Sequence, residues 1–268
     1  MLDGQTTRRV RMRTKTISFP RFRDLAASDL QCDLHVHTDR TDGEVGVDAI
    51  LRTAVERRLD RVAFTEHVRR GSSWFPEFAR EVRDKARAYP GLEVLVGCET
   101  KALDASGNLD VSEAILADCD IVLGSVHRFS DGEGGFIDTG RLTPEEFAQL
   151  ECAWALGLLH SDAIDVLAHP GGMYARRHAS DLPVDLLRTI VATSVERRIA
   201  VEVNTSYVQD LDRLLNIFDE LNPFVSIASD MHQLERLGHC RDRMMARRRH
   251  LARCPAPSHA SEATATKS

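Results

Sequence analysis

Seven short runs of β-branched and apolar residues punctuate this chain, and all but one end in, or run straight into, a histidine, aspartate or glutamate. The runs are CDLHVH (32–37), RVAFT (61–65), EVLVGCE (93–99), DIVLGSVH (120–127), IDVLAHP (164–170), AVEVNTS (200–206) and FVSIASD (224–230). Amphipathic stretches at 46–58, 75–88, 143–159, 183–197, 208–220 and 233–249 read as helices. Thr143 ahead of Pro144, Glu145 and Glu146 is a strong helix start, with a hydroxyl cap and proline in the first helical position. Strands alternating with helices pair in parallel through right-handed crossovers. Seven such units without interruption predict an α/β chain closing into a TIM-like barrel over residues 31–250. Residues 1–30, with the basic stretch RRVRMRTK, read as a partly disordered lead-in, and 251–268 as a polar tail.

The formal net charge of −6 gives no support for a nucleic-acid-binding surface as the main feature. No apolar run approaches the ~20 residues needed to span a bilayer. The first residues are basic without the apolar stretch of a secretory leader, so a cytoplasmic location is expected. Cys32, Cys98, Cys119, Cys152, Cys240 and Cys254 form no CxxC pair, and several lie inside apolar runs. They read as small buried hydrophobes, not as a disulfide framework or a zinc site.

The polar residues at the strand ends carry the chemistry. Side chains alternate along a strand, so Asp33, His35 and His37 are expected on one face. Glu66 and His67, Glu99, His127, His169, Asp230 and His232 recur at the ends of later strands, where active sites of parallel barrels sit. Burying so many ionisable groups together is costly unless cations compensate them. Imidazoles with carboxylates suit Zn, Mn or Fe. The sequence has no GxSxG elbow, no phosphate-binding P-loop and no reactive-cysteine motif.

The motifs DLHVHTDRTDG (33–43), AFTEH (63–67), GCE (97–99), GSVH (124–127), AHP (168–170) and SDMH (229–232) resemble, in order, those of the PHP (polymerase and histidinol phosphatase) family. The resemblance spans about residues 31–235 and implies a distorted (β/α)7 barrel with two or three divalent metal ions. It implies that His35, His37, Glu99 and Asp230 hold one metal. Glu99 would bridge to a second, completed by His127 and His169. Asp42, where many relatives have histidine, would hold a third with His67 and His232.

The activity implied is hydrolysis of a phosphate ester by a hydroxide bridging two metals. The expected substrate is a small phosphomonoester such as histidinol phosphate. The alternative is a phosphodiesterase or exonuclease acting on nucleotides, cyclic phosphates or short nucleic acids, which would call for a basic, aromatic-lined groove. A metal-dependent amidohydrolase also begins with HxH but often uses a modified lysine, and only Lys101 lies at a strand end. A non-catalytic descendant would be expected to have lost ligands. Arg128, Arg176 and Arg177 are candidates to clamp phosphate. Asp33 is expected to hydrogen-bond a ligand histidine, Glu66 to orient water or the leaving group, and Asn204 with Ser206 to line the pocket.

Overall fold

The computed structural model describes residues 17–133 and 135–253, with side chains as far as 247. Strands β1 (Cys32–Val36), β2 (Arg61–Val68), β3 (Glu93–Lys101), β4 (Ile121–Ser125), β5 (Val166–Leu167), β6 (Ala200–Asn204) and β7 (Val225–Ala228) form one sheet in chain order, every pair parallel. Helices α1 (Val47–Glu56), α2 (Phe75–Ala86), α3 (Glu113–Asp118), α4 (Pro144–His160), α5 (Gly172–His178), α6 (Val184–Arg197), α7 (Leu211–Leu221) and α8 (His239–Arg253) lie between or after the strands. This is the distorted seven-unit barrel expected from the sequence. Among the described residues no helix is long and apolar enough to cross a membrane.

Closure is confined to one end of the seam between β1 and β7. Beyond the strand ends, the Met231 N–H donates to the His35 carbonyl at 3.0 Å, and the His37 N–H donates to the Met231 carbonyl at 2.9 Å. Strand alternation then divides the apolar side chains. Ala63, Leu95, Ile121 and Leu123 belong to one core cluster, whereas Val62, Phe64, Val96, Cys98 and Val122 belong to another that packs under α1 to α4. The barrel is narrow where β3 meets β4, because a Cβ at Gly97 would stand 2.3 Å from the Ile121 carbonyl oxygen. Only glycine fits there, two residues before Glu99.

Three features depart from the expected layout. The stretch 233–249 is not one helix: a short 3-10 turn (Leu234–Arg236) precedes α8, and Gly238 between them has φ +72°. The short helices α3 and α5 were not anticipated. Barrel packing also begins before residue 31. Leu30 is fully buried, Ile17, Phe19, Phe22 and Leu25 pack against the core, and the Val225 N–H donates to the Pro20 carbonyl at 3.0 Å. The first sixteen residues of the lead-in and the tail from 254 lie outside the described residues. Of the six cysteines, Cys32, Cys98, Cys119, Cys152 and Cys240 are free and buried as expected, and Cys254 is outside the described residues.

Helix α4 begins at the predicted Thr143 cap, which the structure shows as a full capping box, Thr143 and Glu146 each closing on the other's backbone N–H. Farther along it, the buried Glu151 carboxylate accepts the N–H groups of Met173 at 3.1 Å and Tyr174 at 2.7 Å, in the first turn of α5. Those donors have no partner within their own helix. Burial pushes the Glu151 carboxyl up to about 7, against the pull of these two bonds. A carboxyl raised in the folded state contributes stability fully below its unfolded value of 4.5, and that contribution is lost as pH rises through about 7. Wild type should therefore lose up to about 3 kcal/mol relative to Glu151→Gln across that window. Denaturant midpoints of the two proteins at several pH values check this; a difference that stays flat from pH 4.5 to 7 would contradict it.

Candidate metal centre

Alternation brings His67 near the end of β2 and Glu99 near the end of β3 to the mouth, where His37 and His127 just beyond β1 and β4 join them. All nine predicted ligands converge there. Their donor atoms fall into four overlapping groups, with atoms in each within 4.8 Å of one another: His37, Asp42, His67 and His232; His35, His37 and Asp230; His35, Glu99 and His169; His67, Glu99 and His127.

Glu99 is the hub. Its Oε1 lies 2.9 Å from the Nε2 atoms of both His127 and His169. Its Oε2 lies 2.9 Å from His67 Nδ1 and 3.2 Å from His35 Nε2. Asp230 stands 3.2 Å from His37 Nε2, and Asp42 stands 3.3 Å from both His67 Nε2 and His232 Nε2. His35, His37, Glu99, His169 and Asp230 form a buried floor, while His67, His127, His232 and Asp42 form a part-exposed rim. The grouping differs from the expected sets: His37 joins Asp42, His67 and His232, His35 stands with Glu99 and His169, and His67 stands with Glu99 and His127.

The donors fit divalent cations. His35 Nε2, both ring nitrogens of His37 and Glu99 Oε2 are buried without a hydrogen-bond partner. Buried polar atoms are normally satisfied, so these mark where a further group belongs. The electrostatics agree. Burial alone would hold His67 down, yet Glu99 and Asp42 overcome it and raise the imidazole to about 10. Burial lowers His37 to about 4, making it a neutral ligand at physiological pH. Burial opposes ionisation of Asp230, but His35 and His37 hold its carboxyl well below the usual range.

Around this centre, three buried carboxylates fix the ligands, each through a different strand. Glu202 on β6 accepts from His35 Nδ1 at 2.7 Å, from the His169 backbone N–H at 2.7 Å and from Asn204 Nδ2 at 3.1 Å. The ring proton of His35 is thereby held on Nδ1, which turns Nε2 toward the centre. His169 needs the support, since its φ of +27° is strained for a residue with a side chain. The sequence reading missed Glu202, which sits inside the run AVEVN.

The other two carboxylates correct their expected roles. Among the described residues Asp33 bonds no ligand histidine ring: it accepts the N–H groups of Ser229 at 2.9 Å and Gly238 at 2.7 Å, fixing the turn that carries Asp230 and His232. Glu66 does not face the mouth. It projects opposite His67, fully buried, and accepts the Thr38 N–H at 2.7 Å and the Thr41 hydroxyl, so it holds the loop that presents Asp42.

A cleft of about 230 Å³ lies over the donors, with Arg128, Arg176 and Tyr207 also on its walls. Tyr207 was not foreseen; it directly follows the Asn204–Ser206 strand end and packs against the His169 ring at 5.0 Å. Arg177 points elsewhere, over the Phe147 ring and toward Thr139. Asn204 is buried, bonded to Glu202 and to the Ser206 N–H, and serves the framework instead of the cleft. Ser206 donates to the Ser229 carbonyl at 2.6 Å.

A parallel barrel with a histidine–carboxylate cluster at the C-terminal mouth of its strands defines a metal-binding hydrolase-type scaffold. The model of the PHP domain matches residues 33–206, and the chain belongs to this family. A DNA polymerase/3'-5' exonuclease PolX of Bacillus subtilis is 24% identical over 213 residues, which is 76% of this chain and 35% of that protein. A probable phosphatase of Clostridium novyi is 30% identical over 116 residues, 43% of this chain and 39% of that one. The chain thus spans less than two-fifths of the length of either relative. The crystal structure of a histidinol phosphate phosphatase from Lactococcus lactis, complexed with Zn, L-histidinol and phosphate, has the same fold. It superposes with a TM-score of 0.63 at 20% identity, covering 80% of this chain and 91% of that one.

Glu202→Gln tests the support of the floor. An amide replaces one of the two acceptor oxygens with an NH2 donor group. It must either turn its NH2 to His35, forcing the ring proton onto Nε2, or set it against the His169 N–H. Affinity for Zn or Mn, measured by titration calorimetry and by metal content after dialysis, should fall roughly 10- to 100-fold. A folded Glu202→Gln protein with wild-type affinity would remove this role.

Proposed function

We propose that this protein is a metal-dependent phosphoesterase acting on small phosphate monoesters. The observation that carries the reading is the meeting of six imidazoles and three carboxylates at one mouth, with buried donor atoms left unpartnered. His35, His37, Glu99 and Asp230 would hold one cation, Glu99 with His127 and His169 a second, and Asp42, His67 and His232 a third. Zn, Mn and Fe suit this donor set. Bound there, such cations neutralise phosphate oxygens, make hydroxide available from water near neutral pH and stabilise the departing alkoxide.

The chain's own residues supply position and charge. Arg128 and Arg176 stand on the wall of the cleft over the donors, where guanidiniums grip the non-bridging oxygens of the phosphate. Tyr207 lines the same space, its hydroxyl bonded to Asp230. No side-chain nucleophile is needed, because phosphoryl transfer depends chiefly on alignment and electrostatic stabilisation. The names of the relatives, phosphatase and 3'-5' exonuclease, agree with phosphate-ester chemistry. A monoester fits better than a polynucleotide. Phe75, Phe78 and Phe129 are buried and Trp74 packs on the core, which leaves Phe136 as the exposed aromatic ring among the described residues at the mouth.

The test is phosphate release with Mn, Zn or Fe added to chelator-treated protein. The substrates are p-nitrophenyl phosphate, bis(p-nitrophenyl) phosphate, histidinol phosphate and mononucleotides. Activity should appear with metal, favour monoesters, and drop by roughly three orders of magnitude or more in His35→Ala and Asp230→Asn. Full activity in either variant would show that the reaction lies elsewhere.

A further inference from the structure

The cleft over the donors opens sideways into a larger one of about 390 Å³, and His67, Glu99, His127 and Arg128 line both. From these shared residues the larger cleft extends to Arg69, Lys101 and Phe136. If the phosphoryl group lies over the donors, the substituent it leaves behind occupies this second space.

The charge of that space is one-sided. Apart from the donor Glu99, no carboxylate lines it. Lys101 is matched by Asp110 at 3.4 Å, outside the lining. Among the described residues no carboxylate pairs with the guanidinium of Arg69 or Arg128. Arg128 is steadied over the Phe136 ring, 5.2 Å from its centroid, and does not need a counter-ion to hold its place. Two unpaired guanidiniums beside a 390 Å³ space form a receptor for an anion.

Resting on the phosphoesterase reading, we infer that the substrate's leaving group carries a second anionic group, a carboxylate or another phosphate, seated against Arg69 and Arg128. A cationic leaving group such as histidinol, with its protonated amine, meets repulsion in the same place. The relative with L-histidinol bound shares this fold, but the charge lining this cleft selects a different class of ester.

The binding half of the test needs no turnover. Metal-loaded protein is titrated calorimetrically with 2-carboxyethylphosphonate, ethylphosphonate and 2-aminoethylphosphonate, a matched series that cannot be hydrolysed. The carboxylate compound should bind roughly tenfold or more tightly than the amine, and the advantage should shrink as salt is raised. Arg69→Gln should cut that ratio at least threefold; Arg69 is exposed, so the substitution leaves the core alone. The matching esters, 3-phosphoglycerate, glycerol 3-phosphate and phosphoethanolamine, should follow the same order in kcat/KM. Equal or reversed affinities in wild type, or a ratio that Arg69→Gln leaves intact, would overturn the inference. If no ester, p-nitrophenyl phosphate included, is hydrolysed with any metal, the phosphoesterase reading fails with it. Hydrolysis without preference for the anionic ester defeats the subsite alone.

Discussion

Everything in this molecule answers to one electrostatic problem. Six imidazoles and three carboxylates share a space in which donor atoms stand about 3 Å apart, and five of the nine side chains are buried. Ionised groups removed from water are tolerated only when opposite charge and hydrogen bonds surround them. Part of the compensation is internal, through Glu99 and Asp230 against the ring of histidines. The rest is missing at His35, His37 and Glu99, and that deficit is the shape of a cation. Glu202, Asp33 and Glu66 keep the donors from relaxing away from one another. Each accepts at least one backbone N–H from a segment that carries or adjoins a ligand, and Glu202 also takes the His35 ring nitrogen.

Which parts of this were readable in advance follows from what each residue's position depends on. The donors were legible because a strand end in a parallel barrel is fixed by local alternation and chain order together. Glu66 was misassigned to the mouth although the same alternation could have placed it, since a residue beside an inward His67 faces outward and here holds the Thr38–Thr41 loop. Asp33 was not. The register shifts between Asp33 and Val36, and its carboxylate reaches the turn near Gly238 instead of a histidine ring. Glu202 was hidden because its partners, His35 and His169, are 167 and 33 residues away, and nothing in AVEVN signals them. The break at Gly238 is a tertiary effect of the same kind. Its N–H goes to Asp33, and its positive φ interrupts an otherwise amphipathic stretch.

On the proposed reading, reaction class and substrate choice are divided between two sets of residues. The donors are set by strands and by buried carboxylates, so they are insensitive to what surrounds the mouth. Arg69, Arg128 and Phe136 sit on connecting segments and Arg176 on the short helix α5, outside the barrel strands. The fold itself is kept at 20% identity to the histidinol phosphate phosphatase structure. The same division explains why the motifs point firmly to a family and only loosely to a metabolite.

The seam between the first and last strands has a consequence for how the protein assembles. Met231 bonds the backbone of both His35 and His37, with Asp230 and His232 on either side of it. The stitch that shuts the cylinder and the pairing of the earliest and latest donors are one event. It joins parts of the chain almost two hundred residues apart, the costliest kind of loop to close. A nascent chain that has made six strands holds most of its histidines but no finished cage. The full donor set is therefore complete only once the final strand has arrived.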